Sequence, residues 1–292
     1  MKDQAERLRQ IMKNKDELNK SISNKAKVLA VTSGKGGVGK TNFALNLAIS
    51  IKRLGHKVLV LDADLGLANV EILSGTNVKF TIFDFIIGEK SINEIIATGP
   101  EGIKLISGGS GLEGLSVMDE NNINRLIKEL EGLESSTDFI IIDTGAGISG
   151  VVTNFVMAAD EVIIITTPDP TAVMDAYTMI KTLVNNGYNG RINVVANIVN
   201  NKKEAISTFN RLNLVADNFL KIKLNFLGYL ERNTAVDNAV KKQIPFLLSN
   251  PKSSISKKIN VMALKFVESN NDIKDNSFTG RLKKLLVRRG GL

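Results

Sequence analysis

Residues 34 to 41 read GKGGVGKT. The spacing fits G-x-x-x-x-G-K-[ST], directly after the apolar run VLAVTS (28–33) and directly before the helical pattern NFALNLAISIKRLG. In that setting Gly34, Gly36, Gly37, Val38 and Gly39 let backbone N–H groups converge on phosphate oxygens, and the helix that Asn42 opens adds partial positive charge. Lys40 is placed for β- and γ-phosphates, and the Thr41 hydroxyl for Mg²⁺. The chemistry indicated is binding and hydrolysis of a nucleoside triphosphate. Lys35 has no such role: from the second loop position it cannot easily fold back onto phosphates that its own backbone wraps. It is either a solvated lysine or a charge with work elsewhere.

Three aspartates close predicted strands, at the sheet edge where α/β proteins bind ligands: Asp62 and Asp64 in VLVLDAD, and Asp143 in FIIID. Each could be a strand-end cap. Behind a phosphate loop, two carboxylates one residue apart can instead divide the labour between metal shell and attacking water. Asp138, Asp160 and Glu161 abut strand starts, at the opposite edge, and are read as structural. His56, the single histidine, follows Gly55 and is read as a solvated turn residue.

The elements that must position these groups recur as short runs, apolar on both faces, as buried parallel strands require: 28–33, 58–64, 139–144, 161–167 and 192–199. IKLISG (103–108) and NFLGYL (225–230) are weaker candidates. Amphipathic stretches such as NNINRLIKELEGL alternate with them, which predicts an α/β fold: one doubly wound, mostly parallel sheet of about seven strands, with short helical tails at both ends. Three segments are expected: a helical 1–24, a domain over 25–270, and a polar spacer with a terminal helix over 271–292.

Of the 292 residues 43% are hydrophobic, enough for a sizeable core, and none is cysteine, which excludes disulfides, thiolate metal sites and a Cys nucleophile. No apolar run approaches the roughly 20 residues a membrane span needs. The net charge is +8. Residues 1–27 hold eight basic against four acidic groups and residues 274–292 six against one, leaving 24 against 25 between them. The basic character therefore sits in the tails, and DNA, which asks for a basic core surface, is not expected as a partner.

KGGVGKT resembles the deviant Walker A loop of the MinD/ParA family of P-loop ATPases. The resemblance implies ATP and Mg²⁺ as ligands and a homodimer formed face to face around ATP, with Lys35 crossing to the other copy's nucleotide. It further implies that DADLGLANVEIL is switch I, with Asp64 orienting the hydrolytic water and Asp62 near the magnesium shell. DTGAGIS would be switch II, with Asp143 on the metal through water. Asn197, in INVVAN, matches the position that reads the nucleobase, although a turn-forming Asn fits equally. TTPDPTAVMDAY, with Pro168, Pro170 and Asp175, resembles the segment that shapes the dimer face. Lack of cysteine removes the cluster-bearing reductase branch.

The tails narrow the family. Phe278, Leu282, Leu285 and Leu286 fall on one helical stripe, beside or opposite Arg281, Lys283 and Lys284. Such a helix suits anionic membrane lipid or a seat on the domain's own surface. DQAERLR resembles the N-terminal motif of the FlhG family, also called YlxH or FleN, MinD-like regulators of flagellar number and placement. There Asp3, Gln4, Ala5, Leu8 and Arg9 imply stimulation of an FlhF-type GTPase, and flagellar switch-complex proteins as further partners. The expectation is a cytoplasmic ATPase that visits the inner face of the cell membrane reversibly. A ParA-type partition ATPase and a MinD septum-placement ATPase are the alternatives.

Overall fold

The computed structural model describes residues 25–64, 69–108, 120–147, 150–269 and 277–287. The N-terminal motif (Asp3, Gln4, Ala5, Leu8, Arg9) and the polar spacer lie outside these residues. Along the chain run β1 (Lys27–Ser33), α1 (Lys40–Arg53), β2 (Val58–Ala63), α2 (Asn69–Ser74), α3 (Ile82–Ile86), α4 (Ile92–Ile95), β3 (Ala97–Thr98) and β4 (Lys104–Ser107). There follow α5 (Glu120–Ser136), β5 (Phe139–Ala146), α6 (Gly150–Ala158), β6 (Glu161–Thr166), α7 (Pro170–Asn185), β7 (Arg191–Val199), α8 (Lys202–Leu220) and β8 (Asn225–Glu231). The last elements are α9 (Thr234–Lys242), α10 (Phe246–Ser249), α11 (Ser254–Glu268) and α12 (Phe278–Val287).

The sheet has eight strands in the order β3-β4-β2-β5-β1-β6-β7-β8, parallel except for β3, which pairs antiparallel with β4. All seven predicted strands form. The eighth, β3, is two residues long and offers no periodicity to read. Every residue of β1 is buried, and alternate side chains feed two cores: Val28 and Ala30 enter the layer under α5 and α6, Leu29 and Val31 the layer under α1 and α11. The carboxyl ends of β1, β2, β5 and β7 therefore converge on one crevice.

At the opposite edge a buried polar network ties the strand starts. Lys27 pairs with Glu161 at 2.9 Å and donates to Ser269 Oγ at 2.8 Å, and Asn193 donates to Glu161 at 2.8 Å. Asp160 accepts from Val28 N–H at 2.7 Å, and Asp138 from Lys57 N–H at 2.7 Å. These are the acids expected to be structural.

The structure differs most at the C-terminal helix. Its apolar stripe is seated in the core between α5 and α6, with Phe278, Leu282 and Leu286 buried, Leu285 partly so, and Phe278 against Phe155. Burying each such side chain stabilises by roughly 1.5–3 kcal/mol. The helix start is capped by a buried carboxylate: Glu134 accepts from Phe278 N–H (3.0 Å), Thr279 N–H (3.3 Å) and the Thr279 hydroxyl (2.7 Å). Arg281, expected beside or opposite the apolar stripe, donates to Ala158 O and Asp160 Oδ1, both at 2.7 Å. In this conformation Phe278, Leu282 and Leu286 face protein and not lipid. Phe278→Ala should weaken the seat by about 3 kcal/mol. Amide exchange over 278–287 should then quicken roughly 100-fold while the sheet's protection stays unchanged, and unaltered exchange of α12 would refute the seat.

Candidate active site

The loop between β1 and α1 is shaped by what its glycines avoid. A Cβ on Gly34 would lie 2.1 Å from the main-chain carbonyl of Asp175, so α7 packs directly on the loop. Gly37 (φ 74°) and Gly39 (φ 89°) are left-handed. Ser33 Oγ donates to Lys35 O at 2.6 Å and fixes the turn. Gly39 stands at the N-cap of α1 without a side-chain cap, so the first-turn N–H groups face the loop's concavity as an anion site.

Lys40 is buried and its pKa is lowered by burial, against the pull of Asp143 and Asp64. Asp143 is fully buried and neither carboxylate oxygen has a hydrogen-bond partner of ordinary geometry. Burial, then the charge of Asp62, pushes its pKa up to about 8, while the Thr41 hydroxyl and Lys40 pull it down. A buried carboxylate without donors, next to a Thr hydroxyl, fits the shell of a hard divalent cation, and Thr41 with Asp143 are the residues that would hold Mg²⁺.

Asp62, expected near the magnesium shell, is engaged by backbone N–H groups on both oxygens. Its Oδ1 accepts from Asp64 N–H at 3.0 Å and its Oδ2 from Val70 N–H at 3.3 Å, so it ties the end of β2 to α2. Burial raises its pKa to about 7 despite those bonds. Asp64 in turn accepts from Asn69 Nδ2 at 3.2 Å, and a Cβ at Gly145 would come within 3.0 Å of its Oδ1. Asp64 thus lies between the start of α2 and the end of β5. Asn69 escaped sequence reading, although it lies within the DADLGLAN run itself.

Lys35 points away from its own loop, as its position required. Its Nζ pairs with Asp169 Oδ2 and donates to Thr171 Oγ1, both at 2.7 Å. Asp169 was not singled out in the sequence; the signal was its place before Pro170, the N-cap slot of α7, where it also accepts from Thr171 N–H at 2.9 Å. Lys35, then the Thr171 N–H, hold its pKa down at about 2. Met174, one turn further, is exposed on the same face.

Asn197 lines a cavity of about 250 Å³ with Ile198, Leu230, Arg232, Asn233 and Phe246, beside Gly37 and Gly39. Both ends of its amide are occupied, Nδ2 donating to Val38 O at 2.7 Å and Oδ1 accepting from Ile198 N–H at 2.9 Å. It braces the phosphate loop, and a base in the cavity would meet its flank. Ile198 is held at φ 57°, a strained conformation for a β-branched residue, at the cavity wall.

Comparison with known proteins agrees with this geometry. Residues 26–194 match the family model described as AAA domain. The chain is 37% identical over 238 residues to antiactivator FleN of Pseudomonas aeruginosa, covering 82% of this chain and 85% of that protein. It is 39% identical over 247 residues to the flagellum site-determining protein YlxH of Helicobacter pylori, covering 83% of each. Among solved structures, the septum site-determining protein MinD of Pyrococcus horikoshii, complexed with Mg-ADP, superposes with a TM-score of 0.69 at 21% identity, covering 86% of this chain and all of that one. MinD in the MinC:MinD complex of Aquifex aeolicus gives 0.67 at 24%, with the same coverage.

Gly34→Ala should lower affinity for a fluorescent ATP analogue on the order of 100-fold, because main chain cannot yield as a side-chain tip can. Gly36→Ala, whose Cβ would meet only the Ala146 methyl at 4.0 Å, should bind nearly as the parent does. Equal loss in both variants would sink the packing argument. Asp62 and Asp143 carry more protons folded than unfolded between their unfolded values near pH 4 and their raised values of about 7 and 8. Their contribution to stability therefore falls as pH rises through that window. Without nucleotide, Tm should drop from pH 5 to pH 8, and Mg²⁺ with ATP should flatten that slope.

Proposed function

Since this chain belongs to the FleN/YlxH group of MinD/ParA-type P-loop ATPases, we propose that ATP serves it as a dimerisation signal, and that the dimer acts at the inner face of the membrane. ATP hydrolysis is the chain's activity, and control of flagellar number its output. The observation that carries the proposal is Lys35: a cation on the phosphate loop, turned from its own site, half-exposed and held by a surface acid and the Thr171 hydroxyl. An exposed pair of this kind is worth about 0–1 kcal/mol. It is therefore readily exchanged for the phosphates of a second copy.

The division of labour follows from the site. Lys40 and the start of α1 hold the β- and γ-phosphates. Mg²⁺, when bound by Thr41 and Asp143, draws charge from the γ-phosphate. Asp62 fixes the backbone at Asp64, and Asp64 orients the attacking water. Lys35 of the second copy adds positive charge where negative charge develops, as an arginine finger does. After hydrolysis Lys35 returns to Asp169.

Membrane attachment requires α12 to leave its seat, carrying Phe278, Leu282, Leu285 and Leu286 with Arg281, Lys283 and Lys284 to anionic lipid. Two such helices on a dimer gain by avidity what one lacks. Among the described residues no helix is long and apolar enough to cross a membrane. The N-terminal Asp3, Gln4, Ala5, Leu8 and Arg9 are assigned to an FlhF-type GTPase, and flagellar switch-complex proteins complete the partners. The near-neutral central region does not favour attachment to DNA.

Asp64→Ala should still bind ATP but hydrolyse it on the order of 100-fold more slowly, accumulate as a dimer by light scattering, and co-sediment with anionic vesicles. Lys35→Ala should remain monomeric with ATP. Normal turnover by the first variant, or ATP-dependent dimers of the second, would refute these roles.

A further inference from the structure

The roots of both tails converge on the same two residues. Ala26 N–H donates to Glu134 O at 2.9 Å, while the Glu134 carboxylate caps α12. Val28 N–H donates to Asp160 Oδ2, while Asp160 Oδ1 holds Arg281. Ala26, at the start of the described chain, therefore stands directly beside the α12 seat.

The seat is built for a basic amphipathic helix. Two acids meet the helix there, Glu134 at its first N–H groups and Asp160 at Arg281, and α6 carries no charge. The helix that fills it has three basic groups and no acid. When α12 departs, Phe155 and the faces of α5 and α6 against which it packs lose their cover, an apolar surface costly to leave in water. Residues 1–24 have matching chemistry: six basic against four acidic groups, with Ala5, Leu8 and Met12 on one stripe spanning seven residues, as Phe278 to Leu285 does. From Met12 to Lys25 the chain can extend up to about 45 Å, ample reach from a root that already touches Glu134.

We propose that residues 1–24 occupy the α12 seat once α12 has left it, so the two tails exchange places on one groove. The inference rests on the proposed release of α12 to the membrane. It makes the outputs reciprocal: with α12 seated, the segment containing Asp3 to Arg9 is free for a protein partner; with α12 in lipid, that segment is covered. The seat's occupant lowers the cost of releasing α12, so each tail sets the availability of the other.

The chain has no cysteine, so one pair of cysteines reports on proximity without interference. Gln10→Cys with Glu131→Cys, on α5 one turn before Glu134, is treated with a short bismaleimide in the full chain, and intramolecular linkage is read by mass. Linkage should be low for the chain alone. It should rise at least about fivefold when Leu282→Asp and Leu286→Asp unseat α12, by an intermediate amount with Arg281→Glu, which loses only the Asp160 pair, and again when phosphatidylglycerol vesicles and Mg-ATP are added to the parent pair. Binding of a fluorescent ATP analogue checks that each variant is folded. Linkage that stays low in both unseated variants overturns the exchange, as does linkage found only between two chains. A rise in the unseated variants without a rise on vesicles upholds the exchange and refutes release to lipid.

Discussion

A buried acid short of donors resists ionisation until a cation meets it, and Asp143, whose pKa burial pushes up to about 8, is such an acid. Its place at the end of β5, between the end of β2 and the end of β1, obliges the neighbours to be what they are. Lys40 is buried beside it, and burial lowers its pKa against the opposing pull of Asp143 and Asp64. Asp62 cannot add a second free anion to so small a space. Its oxygens are turned instead to backbone N–H groups, and it becomes the brace that sets Asp64.

The phosphate loop carries a second constraint. Gly34 lies against the Asp175 backbone with no room for a Cβ, so the start of α7 and the loop move as one body. Asp169, the cap of α7, is therefore always within reach of Lys35. The pair holds the lysine outward through geometry that the loop enforces, and its weakness as a surface ion pair leaves the charge transferable. A buried partner would have held Lys35 too firmly for a switch.

Most of this was legible from local pattern. β1, β2, β5, β6 and β7 announce themselves as runs apolar on both faces, and even the weaker IKLISG and NFLGYL are strands because their alternate residues meet α-helical layers. The loop and the three strand-end aspartates were readable because motif and sheet edge coincide. What was not readable depends on partners distant in sequence. A stripe such as Phe278–Leu286 states that a helix has an apolar face, not what covers it; Glu134, 144 residues before Phe278, decides that. Asn197 was read by its place in a family, whereas its amide is engaged by Val38, 159 residues away. Asp169 lies between two prolines, and no local pattern there shows that its partner is Lys35, 134 residues before it.

The nucleotide crevice and the α12 seat lie at opposite edges of one sheet, about 20 Å apart along β1. They are nonetheless joined by a single stretch of chain. Asp143 ends the buried part of β5, Gly145 lies against Asp64, Gly147 is left-handed at φ 92°, and α6 begins at Gly150 to form, with α5, the groove that holds Phe278. A shift of the Asp143–Gly147 loop has one helix to act through, and that helix is a wall of the seat. Because packed interiors answer strain by moving whole elements, the loop that meets the nucleotide and the groove that keeps the tail have little freedom to change separately.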